Sequence, residues 1–72
     1  MTIIDQAAAH DAYWGAVETA DRHLDAVLTV TRGRQDLGAL TPQDAAQERI
    51  DAMQEHLDKV TALRTQYLGG AA

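Results

Sequence analysis

The chain has no cysteine, no serine, no asparagine and no phenylalanine among its 72 residues. Without Cys there is no disulfide, no thiolate metal site and no cysteine nucleophile. Without Ser there is no serine nucleophile. Proline and tryptophan occur once each, as Pro42 and Trp14. Apolar runs stop after a few residues, far short of the ~20 that span a bilayer. The opening MTIIDQAAAHD lacks a basic start and is interrupted by Asp5. It does not read as a secretory signal, so the expected location is the cytoplasm, or a virion if a phage encodes the chain.

Positive charge is also scarce. Six Lys and Arg face eleven Asp and Glu, for a formal net charge of −5. Such a chain repels phosphate backbones and anionic lipids. Neither nucleic acid nor a membrane is therefore an expected partner. Five of the six cations are Arg, and Ala is abundant. That bias fits a GC-rich genome, such as that of an actinobacterium or one of its phages.

What remains is helix-forming sequence, and it predicts an all-α fold: an antiparallel hairpin of two long helices forming a single domain. The second helix is the better marked. In LTPQDAAQERI, Thr41 stands at the N-cap, Pro42 at the first helical position and Asp44 in the first turn. The Thr hydroxyl can accept from an otherwise unbonded backbone N–H, and proline has no N–H to lose there. No further Gly or Pro occurs before LGG, where Gly69 suits a left-handed stop. This predicts a helix over about 42–68, with 69–72 as a flexible tail. Its apolar positions are Ala46, Ile50, Met53, Leu57, Val60 and Tyr67, alternately four and three apart. Leu63 widens the row, and Arg64 interrupts it. The opposite face, with Glu48, Asp51, Glu55, Asp58 and Lys59, is expected to be solvated.

The first helix is predicted over about 3–32, with Thr2 and Asp5 as its cap and Gly33 as its stop, leaving a turn over 33–41. One broad stripe carries Tyr13, Trp14, Val17, Leu24 and Leu28. A second row of mostly small residues runs through Ala8, Ala12, Gly15, Thr19 and Ala26. Gly inside a helix costs roughly 1 kcal/mol relative to Ala. Gly15, beside the only Trp, therefore raises the expectation of a close helix–helix approach.

Residues able to carry chemistry are few and poorly spaced for it. A di-metal carboxylate bundle uses Glu-x-x-His pairs, and no Glu here is followed by His three residues later. His10, His23 and His56 are the only imidazoles. The carboxylate pairs Asp21/Asp25 and Asp51/Glu55 fall on faces expected to be wet, without a pocket to shift their pKa values. Arg32 and Arg34, in TRGR, suit a helix C-terminus, where cations offset the dipole. The expectation is a protein that is not an enzyme and takes no metal and no cofactor.

Two facing stripes cannot cover the broad apolar face of the first helix. The chain is thus expected to associate with itself as a homo-oligomer, or with a larger protein assembly. The expected interface residues are Trp14, Gly15, Val17, Leu24 and Leu28 on the first helix. On the second they are Ile50, Met53, Leu57, Val60 and Tyr67. The corresponding role is a small structural or accessory subunit of a phage particle or bacterial complex. The alternative is a small acidic regulator that binds a host protein.

Overall fold

Two helices packed side by side make up the structure. The computed structural model describes residues 3–69, with side-chain surroundings from residue 6 onward. Helix α1 spans Ile3–Asp36 and helix α2 spans Pro42–Leu68. The expected cap at Thr2 and Asp5, and residues 70–72 of the expected tail, lie outside the described residues or side chains.

α2 begins as its capping chemistry implies. Thr41 has extended backbone angles, and its Oγ1 accepts from the Asp44 N–H at 3.1 Å. Pro42 occupies the first turn. Gly69, at φ 83°, closes the helix in the left-handed region that Gly adopts without penalty.

α1 runs four residues past the expected stop at 32, and this corrects the reading of Gly33. Gly33 is helical, and Gly38 makes the turn at φ 78°. The Ala39 N–H bonds to the Arg34 carbonyl at 2.8 Å, and the Gly38 N–H to the Gln35 carbonyl at 3.0 Å. This pair of bonds is the Schellman closure, which needs a left-handed residue at the position Gly38 holds. Helix continues through Gly33 because Arg34, Gln35 and Asp36 are all compatible with it. The extra turn also carries Arg34 and Gln35 to where they meet α2.

The hairpin is a slab. Its Cα extents are 54 × 20 × 9 Å, so it is two helices wide and one helix thick. Its radius of gyration is 16.3 Å, against about 11 Å for a compact domain of this length. The apolar core is accordingly thin: Tyr13, Val17 and Ala20 from α1 and Ala45 from α2. Thr31 is buried with them.

Polar rungs cross between the helices and fix their register. Thr31 Oγ1 donates to Glu48 Oε2 at 3.0 Å, and Arg34 Nη1 to Glu48 Oε1 at 3.2 Å. Arg49 Nη1 donates to Gln35 Oε1 at 3.2 Å. Further from the turn, His56 Nε2 donates to Asp21 Oδ1 at 2.7 Å. Glu48 thus leaves the solvated face expected for it and joins the helix–helix contact, because a buried hydroxyl on α1 needs an acceptor. Asp51, Glu55, Asp58 and Lys59 remain exposed.

Candidate interaction surface

α2 carries two seams offset around its axis, and only one of them meets α1. The seam used within the hairpin runs through Ala45, Arg49, Ala52, His56 and Leu63. It is made of small and polar side chains up to His56 and ends on the apolar Leu63. Of the apolar row expected to pack there, Ala46, Val60 and Tyr67 are half-buried, while Ile50, Met53 and Leu57 are turned roughly a quarter of the way or more around the helix toward solvent. Ile50, Met53 and Leu57 are 59, 59 and 60% exposed. The expectation that the two stripes face each other is corrected for these three residues. Alanines at 45 and 52 allow closer approach to α1 than the larger side chains would, and the rungs at Glu48, Arg49 and His56 require that rotation.

The outward row lines one side of a shallow groove. Its walls are Leu24 from α1 and Ile50, Met53, Gln54, His56 and Leu57 from α2. Trp14 belongs to the same flank by helical count. It lies seven residues before Asp21, which meets the groove residue His56, and fourteen before Leu28. Trp14 is 56% exposed, so it is not core of the hairpin. Its neighbour Tyr13 takes the buried position instead. The two rings meet edge to face, with centroids 5.3 Å apart and planes at 67°.

The residues expected at the interface are thus dispersed. Leu24, Ile50, Met53 and Leu57 come together around the groove. Val17 is buried against α2, and Leu28, Val60 and Tyr67 are half-buried. Gly15 stands apart on the back of α1, away from α2. A Cβ placed on it would meet nothing within 4 Å, and its carbonyl accepts from Thr19 Oγ1 at 3.1 Å. No close approach within the chain accounts for this glycine. Gly15→Ala is therefore expected to stabilise the hairpin by about 1 kcal/mol, the helix-propensity difference. Chemical denaturation monitored by circular dichroism checks this, and a lowered midpoint would show that bulk at this position is not tolerated.

Sequence reasoning did not find the rung residues Asp21, Thr31, Arg34, Gln35, Glu48, Arg49 and His56. Apolar periodicity carries no signal for them. Thr31, the first residue of TRGR near the end of α1, with Glu48 in the early turns of α2, was the available hint.

Among the described residues, no three His, Cys, Asp or Glu side chains gather as a metal shell. No described helix is long and apolar enough to cross a membrane. Compared with known proteins, the chain matches no family model, no curated protein and no solved structure.

Proposed function

We propose that this protein is a non-catalytic association module, a small structural or accessory subunit whose work is to pack against protein. One observation carries this reading. Three of the larger apolar side chains of α2, Ile50, Met53 and Leu57, lie more than half exposed, while Ala45, Arg49, Ala52 and His56 face α1 along the same stretch of helix. Each exposed side chain of this size forgoes about 1.5–3 kcal/mol of burial. A contiguous exposed apolar row edged by polar residues marks a protein-binding face. The slab also lacks the second packed layer from which domains are ordinarily built, and an added protein surface supplies it. A particle or complex of a bacterium or phage with a GC-rich genome is the setting that the composition fits.

The test is the size of the protein in extracts of the cells that make it. The chain is expected in a species well above its own 7.8 kDa. The double variant Met53→Lys/Leu57→Lys is expected to shift it to monomer size. A native chain running as a free monomer in gentle extracts would overturn the reading.

A further inference from the structure

We infer that the outward face of α2 is covered by a second copy of this chain, with the two α2 helices antiparallel and the two hairpins forming a four-helix bundle. The inference rests on the association reading above and names its partner.

Area is the first argument. The chain exposes 5520 Å², about 1,100 Å² more than the ~4,400 Å² of a folded monomer of this mass. A stable interface takes about 800 Å² from each partner. The excess is thus the size of one side of a dimer contact.

The second argument is self-complementarity. The row repeats at 46, 50, 53, 57, 60, 64 and 67, a four–three spacing that matches a coiled-coil seam; Ile50, Met53, Leu57 and Arg64 are its exposed members, and Ala46, Val60 and Tyr67 are half-buried at its edge. Its centre is Leu57. Laid antiparallel on a copy of itself about that centre, Leu57 meets Leu57 and Met53 meets Val60. Ile50 meets Arg64, and Ala46 meets Tyr67. Small residues oppose large ones at the ends, as interdigitated packing requires.

Charge selects the direction. The chain has eleven acidic residues, and none occupies this row. Its single charge is Arg64. A parallel pair would stack Arg64 on Arg64, whereas the antiparallel pair separates the two guanidinium groups to opposite ends. Of the carboxylates of α2, Asp44, Asp51, Glu55 and Asp58 fall on the other side of the helix and stay in water, and Glu48 is engaged by Thr31 and Arg34. The acidic chain can therefore meet itself along this face.

The purified chain should sediment at about twice 7.8 kDa, with a concentration-dependent approach to monomer. Leu57→Lys should raise the dimer dissociation constant at least about 100-fold, since it removes a buried Leu and places two cations at the axis. Leu57→Met should change it little. The absence of native cysteine allows a second test that does not depend on a variant staying folded as a monomer. Ile50→Cys and Arg64→Cys chains, mixed and oxidised, should form the mixed disulfide in preference to either self-pair. Preference for the self-pairs, or no crosslink, overturns the antiparallel arrangement. A purified chain that is monomeric at every concentration overturns the second copy. If that chain still runs large in cell extracts, the association reading stands without it.

Discussion

Tyr13→Ala is expected to remove most of the helical signal of the isolated protein. Tyr13 is the only large aromatic in the apolar core, where Val17, Ala20 and Ala45 are its fellow members. Aromatic-to-alanine truncation in a core costs about 3–5 kcal/mol. A small helical unit has only about 3–5 kcal/mol from its core to begin with. The loss should therefore exhaust the stability, and ellipticity at 222 nm should fall to a largely unfolded value at low protein concentration. Trp14→Ala is the informative companion. Trp14 is larger, yet it is more than half exposed in the hairpin. Its removal should leave intrachain stability nearly unchanged while weakening association. Equal effects at the two positions would mean that the division between core aromatic and surface aromatic is wrong.

Ala45→Leu is expected to destabilise by about 1–3 kcal/mol through overpacking, although it adds apolar surface and Leu is a good helix former. Ala45 is fully buried in the helix–helix contact, three residues before the rung residue Glu48. Three added carbons at such a contact force the helices apart and strain the rung from Glu48 to Thr31 and Arg34. Ala62 is exposed on the same helix, so Ala62→Leu should stay within about 0.5 kcal/mol of the native protein. Urea denaturation of the three proteins side by side reads the difference. If Ala45→Leu is as stable as Ala62→Leu, the helices are not held close by alanine.

The hairpin itself was legible in the sequence because capping and turn chemistry are local. Thr41, Pro42 and Gly69 act on atoms within four residues of themselves. The stop of α1 was harder, since two glycines were available five residues apart. The choice between Gly33 and Gly38 depends on what the intervening turn gains from α2. Arg34 and Gln35 gain partners in Glu48 and Arg49, and no local pattern records that.

The facing of α2 was misread for a related reason. Apolar periodicity finds the row with the larger side chains, Ile50, Met53 and Leu57, and takes it for the intrachain contact. Over the first half of α2 the intrachain contact is built from alanine, Arg49 and His56, which a hydrophobic count weighs lightly or not at all, and Leu63 joins it only further along. The count located the row of larger side chains, and the hairpin leaves three of them, Ile50, Met53 and Leu57, more than half exposed. The small-residue row through Gly15 meets nothing within the chain, since smallness permits a close approach without specifying its partner.

The spacing of the polar rungs along the chain has a kinetic consequence. The rung nearest the turn, Gln35–Arg49, spans 14 residues, the next, Thr31–Glu48, spans 17, and Asp21–His56 spans 35. Loop-closure entropy grows only as the logarithm of length, about 0.6 kcal/mol for each doubling. Once the Gly38 turn has formed, each later rung closes a loop already shortened by the one before it. Folding can then run outward from the turn like a zipper, with no long-range search at any step, and the far ends of the two helices are the last to join and the first to part.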